Sequence, residues 1–287
     1  MMSQFMILCL SGLAFSSLLY LLASGFSLIF GLMRIPNMAH GAFFMLGAYL
    51  QVWVSRLDAS FAISILVPAC VVAMLGLVLE GTLLRWLKGR ELAQVLGTLG
   101  VALVLSNLCL IVWGGTPLQA PVPDWLSGSI QFGAVWFPIY RVFVCLVAIV
   151  VAGAQIGLIE RTQFGAMVRA GVDDPAMAEA VGIPVARVSR IVFAMGSASV
   201  GAAGALAAPM LTAYPGLDIE MLPLALAVVI VGGAGSLYGA VIGSLVVGFI
   251  YTFGQTYLVD FAAFALFAPV VVILAFRPAG LYGRSFQ

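Results

Sequence analysis

At 287 residues, 63% hydrophobic and only 8% charged, the chain lies far outside the composition of soluble domains. A mean hydropathy of +1.18, with repeated apolar runs of about 18 residues or more, describes a polytopic helical membrane protein. A net charge of +1, with one lysine and no basic patch interleaved with aromatics, excludes a nucleic-acid partner.

Phe5 to Met33 is the first apolar run, longer than the ~20 residues a span requires. It carries Gly12, Gly25 and Gly31, small residues that let membrane helices approach closely. Lacking a basic leading segment and a small-residue exit, it reads as a retained span and not a signal peptide. The stretch Arg34-Ile-Pro-Asn-Met-Ala-His40-Gly41 interrupts it, because Pro36 has no N–H and disfavours helix at the residue before it. Ala42 to Val54 resumes the apolar pattern. Phe61 to Leu84 is a third run, closed by Arg85, Lys88 and Arg90, and Leu92 to Trp113 a fourth.

The connection from Gly114 to Phe137 holds one acid, Asp124, and no Lys or Arg. Its Trp125 and Trp136, with Tyr140, suit an interfacial aromatic belt. Arg141 to Ile159 is the fifth run and Ile191 to Ala213 the sixth. Met221 to Tyr257 contains two apolar pieces around the loop-like Gly232-Gly-Ala-Gly-Ser-Leu-Tyr-Gly239, and Phe261 to Phe276 is the last run before a basic tail. The expectation is an all-α polytopic membrane protein, one transmembrane domain over 1–287, with about eight transmembrane helices. Cys9, Cys70, Cys109 and Cys145 fall in different runs without metal-ligand spacing and read as small buried hydrophobes.

Between the fifth and sixth runs lies a polar island, Glu160 to Arg190, holding eight charged residues of a total of 12 Lys and Arg plus 11 Asp and Glu. Its Arg161, Arg169, Arg187 and Arg190 place it in the cytoplasm, where positively charged loops are retained. With the Arg85–Arg90 loop and the tail on the same side, ten of the 12 Lys and Arg face inward. The N-terminus is then periplasmic and the C-terminus cytoplasmic. Under that parity Met221 to Tyr257 begins and ends outside. Its first arm, Met221 to Val231, would reach only about 16 Å at 1.5 Å per residue, which predicts a re-entrant hairpin turning at the glycines.

The breaks at His40-Gly41-Ala42 and Tyr238-Gly239-Ala240 look alike. Paired broken segments in two halves are the mark of an inverted repeat with substrate passing near the breaks. On that reading Arg34, Asn37, His40, Gly232, Gly233, Gly235 and Ser236 line a translocation path. The bland reading of His40, a hydrogen-bonding residue at a helix break, stands beside it. Glu80, near Arg85, reads as half of an interfacial ion pair. The glycine turn is no phosphate cradle: it lacks the Lys-Ser/Thr that follows a P-loop, and the one lysine is Lys88.

Within the island, Asp174 can cap a helix, Pro175 suits its first position and Gly182 the left-handed residue past its end. The spacing predicts a helix of about two turns presenting Met177, Ala178 and Val181 on one side, with Glu179 beside them. So short a helix is marginal alone and needs something to pack against: either its own loop or a groove in a cytoplasmic partner.

Four stretches carry a family resemblance: FGLMRIPNMAHGAFFMLGAYL (30–50), RTQFGAMVRA through AVGI (161–183), VGGAGSLYGAVIG (231–243) and FRPAGLYGR (276–284). In this order they resemble the permease subunits of branched-chain amino acid ABC importers of the high-affinity Liv type. The resemblance implies a bacterial inner-membrane protein that binds no cofactor itself and is no enzyme. Its partners would be a second homologous permease, two cytoplasmic ATP-binding subunits that use ATP and Mg²⁺, and a periplasmic substrate-binding protein. The island would be the coupling region and Asp174 to Gly182 its coupling helix. Related permeases carry urea, short amides or aromatic acids. This chain has Ala42 where the family often has an acid, and Pro36 where it often has Ile or Val, so the cargo stays open among these. A stand-alone secondary transporter would instead need intramembrane carboxylates or His chains for ion coupling.

Overall fold

The structure, a computed structural model, describes residues 2–33, 36–133, 135–258, 261–277 and 280–282. Its helices are α1 (Met2–Met33), α2 (His40–Ser55), α3 (Phe61–Leu79) continued by a π-helical turn (Glu80–Leu84), α4 (Glu91–Trp113), α5 (Ile139–Arg161), α6 (Gln163–Asp173), α7 (Pro175–Ala180), α8 (Val185–Ala207), α9 (Leu217–Gly232), α10 (Leu237–Tyr257) and α11 (Ala262–Phe276). Among the described residues, six helices are long and apolar enough to cross a membrane: α1, α3 with its π-helical turn, α4, α5, α8 and α10. The shorter α2, α9 and α11 are equally apolar. The chain is an all-α multi-pass membrane protein, with "about eight" an approximate count of its spans.

One connection departs from that class. Between α4 and α5 runs an antiparallel hairpin, β1 (Ser129–Phe132) and β2 (Val135–Pro138), in a segment whose sequence reads as irregular. Trp125 and Trp136 are exposed there, as a belt requires, but Tyr140 is buried and its hydroxyl donates to the Leu206 carbonyl at 2.8 Å.

α2 is the axis of the molecule. All its side chains except Trp53 and Ser55 are buried; α3, α4, α8 and α9 pack along it, and α1 meets its first residue, His40, through Leu22 and Phe26. The packing repeats itself: α1 lies on α10 as α8 lies on α3, α2 on α3 as α9 on α10, and α2 on α4 as α9 on α11. Each pairing turns into the other when α1–α4 are exchanged with α8–α11. The two units run in opposite senses, since α1 ends at the glycine turn (Gly31 against Gly235) where α8 begins (Val188 packed with Leu28 and Leu237). The four-helix units are an inverted repeat, and α5–α7 bridge them.

This register corrects the pairing expected from His40-Gly41-Ala42 and Tyr238-Gly239-Ala240. The break before α2 corresponds to the 208–216 connection before α9, not to the turn before α10. Similar tripeptides mark two helix starts of different rank in the repeat.

The segment 221–257 also differs from expectation. α9 begins at Leu217, with Asp218 and Glu220 in its first turn, where the helix dipole favours acids. Sixteen residues reach about 24 Å, not 16. The glycine turn therefore arrives at the same face as the island, where the Tyr238 hydroxyl donates to Glu160 at 3.0 Å. Both outer ends do share the opposite face, because Tyr251 of α10 donates to Glu220 at 3.1 Å. α10 is long and apolar enough to cross the membrane, whereas α9 at about 24 Å falls short of the ~30 Å hydrocarbon core, so α9 is a partial traverse whose glycine turn reaches the island face.

Candidate functional site

The island folds on a small core of its own. Thr162 ends α5 and caps α6, its hydroxyl accepting from Gly165 N–H at 3.2 Å. Arg169 turns back to donate to the Ile159 carbonyl. Val168 of α6 packs with Val188 and Val192 of α8, Leu28 of α1 and Leu237 of α10. Apolar contacts thus tie the island to both repeat units.

α7 projects from this base. Asp174 accepts from Met177 N–H at 3.0 Å, Pro175 occupies the first turn, and Gly182 adopts φ +90° past the end. There the Gly182 and Ile183 amides return to the Glu179 and Ala178 carbonyls, satisfying groups a helix end leaves orphaned. One expectation about its face is corrected. Ala178 is 3% exposed and turned onto the protein, whereas Met177 and Val181 are 62% and 68% exposed, with Glu179 also at the surface. The helix is pinned by its alanine and displays two apolar side chains to solvent. Replacing Asp174 with Ala should loosen it by about 1 kcal/mol, read as faster amide exchange at 177–180 with α8 unaffected.

Above the island, the π-helical turn after α3 presents Glu80 to α8, where Arg190 meets it at 3.4 Å. The expected partner, Arg85, is displaced by a residue 110 positions away. A bridge between the first unit and the base of α8 replaces an ordinary local pair.

The candidate path residues separate into two groups. Gly232, Gly233, Gly235 and Ser236 lie at the island face. There Ser236 caps α10 by accepting from Gly239 N–H at 3.0 Å, and the Leu281 and Tyr282 amides donate to the Val231 and Gly232 carbonyls, both at 2.9 Å. A cavity of about 190 Å³ separates this turn from α6, lined by Glu160, Arg169 and Tyr238 among others.

Asn37 and His40 lie deep in the bundle. His40 Nε2–H donates to the Leu22 carbonyl at 3.0 Å, and Leu22 stands about 16 Å up α1 from its end at 1.5 Å per residue. The chain has therefore doubled back toward mid-depth before α2 begins. Irregular backbone at that depth must find partners inside the protein. The Asn37 side chain accepts from Ala39 N–H at 3.1 Å, and Thr98 accepts from Met38 N–H at 3.1 Å. His40 is fully buried, edge-on to Phe26 with ring centroids 4.9 Å apart. Both residues hold the break together. Arg34 lies outside the described residues.

Where the two breaks meet, the sequence is silent and the structure is not. Gly41 sits against the Asp218 carbonyl, so α2 and α9 start side by side and run apart toward opposite faces. Asp218, expected in an outer loop, is buried, accepting from the Ser106 hydroxyl at 2.5 Å. Tyr49 stacks on Trp113 with ring centroids 5.2 Å apart, and the Tyr49 hydroxyl, Trp113 Nε1 and Asp218 Oδ1 have no hydrogen-bond partner among the described residues. The one signal for Asp218 was an acid two residues past a Pro-Gly pair, a helix-start pattern.

A family model described as "Branched-chain amino acid transport system / permease component" matches residues 8–276. Among curated proteins, the chain is 26% identical to the high-affinity branched-chain amino acid transport system permease protein BraD of Pseudomonas aeruginosa, over 96% of this chain and 94% of the relative. It is 25% identical to the permease protein LivH of Escherichia coli K12, again over 96% and 94%. The probable branched-chain amino acid transport permease protein LivH of Methanocaldococcus jannaschii is 26% identical over 82% of this chain and 76% of the relative. No solved structure matches the chain. With the match spanning both repeat units and the island between them, the chain belongs to the branched-chain amino acid transport system permease family.

Proposed function

We propose that this permease is the membrane-spanning subunit of an ATP-driven importer of branched-chain amino acids in the bacterial inner membrane. A second permease completes the pore, two cytoplasmic ATP-binding subunits drive it with ATP and Mg²⁺, and a periplasmic protein delivers the cargo. The chain hydrolyses nothing and binds no cofactor. Its N-terminus and the pocketed face of Arg141 and Glu220 are periplasmic; the island and the tail are cytoplasmic.

The observation that carries this reading is α7: a capped helix, pinned through Ala178 and displaying Met177 and Val181 beyond the bundle. An ATPase groove closing on those side chains would push α7. The push then passes through α6 to α8 and α1, one helix of each repeat unit. The paired breaks, with Asn37 and His40 at one and Asp218 at the other, are where the two units would rock past each other.

The test is uptake into proteoliposomes by the copurified complex. Leucine, isoleucine and valine should accumulate only with ATP inside and binding protein outside. Uptake by this chain without an ATPase subunit, driven by an ion gradient, would overturn the reading in favour of a secondary transporter. ATP-driven uptake of urea, amides or aromatic acids alone would move the cargo within the family.

A further inference from the structure

On the face opposite the island, a cavity of about 580 Å³ opens between α1, the start of α5, the 208–216 connection, α9 and α10. That is the size of a small-molecule site, typically about 300–1,000 Å³. Its walls carry one cation and one anion. Arg141 is steadied from one side: Nη1 donates to Ser11 Oγ at 3.1 Å, and the guanidinium carbon lies 5.8 Å from the centre of the Phe137 ring. Glu220 is held from the other, accepting from the Tyr251 hydroxyl at 3.1 Å and from the Tyr214 hydroxyl. Tyr251 is itself fixed by stacking on Phe15 at 4.6 Å.

The two charges do not neutralise each other. Among the described residues the ion pairing is Arg190 with Glu80, and neither Arg141 nor Glu220 takes part in it. The lining also includes Leu8, Leu217 and Met221. A positioned guanidinium, a positioned carboxylate and an aliphatic floor are the complement of a zwitterion with a hydrocarbon side chain. The guanidinium fork matches a carboxylate bidentately, whereas the glutamate can accept from an ammonium group and keep its tyrosine donors.

We propose that this cavity is an entry site for a free α-amino acid, with Arg141 taking the α-carboxylate, Glu220 the α-ammonium group, and the apolar floor the branched side chain. The proposal rests on the reading of the chain as an amino-acid importer and assigns the cargo its first contacts on the permease. Neither charge alone would select a zwitterion from water; a cation and an anion lining one cavity do.

The probe is radiolabelled leucine, bound to the nucleotide-free complex in phosphatidylcholine nanodiscs without binding protein. Saturable binding is expected, with N-acetylleucine and leucinamide, each lacking one charge, competing about tenfold less well than leucine. Arg141→Gln and Glu220→Gln should each weaken leucine binding about tenfold or more. Glu220→Gln should also lose the discrimination against N-acetylleucine, and Arg141→Gln that against leucinamide. The competition on the unmodified complex keeps the test independent of how the variants fold. Competition by both analogues as strong as that of leucine itself would overturn the site. So would tight phosphatidylethanolamine, a zwitterionic headgroup, found in the purified complex and blocking leucine until removed without leucine then binding. If the complex imports leucine with ATP yet binds none at this cavity, the site fails and the importer stands. If it imports no branched-chain amino acid at all, the functional reading fails first.

Discussion

Met177→Asp should abolish ATP-driven uptake while the protein still reaches the membrane and assembles its fold. The side chain is 62% exposed and makes little of the permease's own core, so a carboxylate there costs the isolated chain almost nothing. In a partner's groove the same change removes about 1.5–3 kcal/mol of apolar burial and buries a charge in its place. Since about 1.4 kcal/mol is tenfold, coupling should fall tenfold to a hundredfold or more. Glu179→Arg, on the same exposed surface, reverses a charge and should uncouple as well. The two assays to run together are ATP hydrolysis by the purified complex and uptake by proteoliposomes. Hydrolysis that persists while uptake collapses is the expected pattern. Unchanged uptake by both variants would remove α7 from the mechanism. Ala178→Asp is the contrasting case: at 3% exposure it strikes the attachment of α7 to its own loop, and should lower folded yield before coupling.

Which parts of this were legible in sequence follows from how local the determining chemistry is. Asp174-Pro175 and Gly182 act within one turn of themselves, so the cap, the first turn and the left-handed end of α7 could be read directly. The face of the helix could not, because which residue is buried depends on how α7 packs on its neighbours α6 and α8. Glu80 had Arg85 one turn away, and only the π-helical turn and the approach of α8 hand it to Arg190. The start of α9 was set four residues late, because Leu217-Asp-Ile-Glu after Pro215-Gly216 reads as a polar loop until Ser106 is seen beside Asp218. That short arm predicts a turn at mid-depth, whereas the glycine turn reaches the island face and, of α9 and α10, only α10 is long enough to cross fully. The existence of a repeat was legible from its broken helices; its register was not, because it is defined by which helix packs on which. The family resemblance, by contrast, is distributed along the chain and survived each of these local misreadings.

The register of the repeat makes its own strong prediction at the crossing of α1 and α8, the helices that exchange under the pseudo-twofold. A Cβ added to Gly25 would stand 2.3 Å from the Gly196 carbonyl oxygen and 2.9 Å from Val200 Cγ2. One added to Gly196 would stand 2.7 Å from the Gly25 carbonyl oxygen and 2.7 Å from Ile29 Cγ1. Two backbones approach this closely in a membrane because packing, and not the expulsion of water, holds helices together there. Gly25→Ala should therefore destabilise the chain by roughly 1–3 kcal/mol, the cost of overpacking a tight core, read as a lower thermal midpoint and a smaller folded fraction in detergent. Gly12→Ala is the control on the same helix: its Cβ meets only the Phe249 ring at 3.2 Å, a side chain that can move aside. The pair should also fail to add. Once α1 and α8 part to admit a methyl at Gly25, the clash at Gly196 is already relieved, so Gly25→Ala with Gly196→Ala should be little worse than either alone. Additive losses would mean that each glycine serves a separate contact, and that α1 and α8 do not meet at a shared crossing.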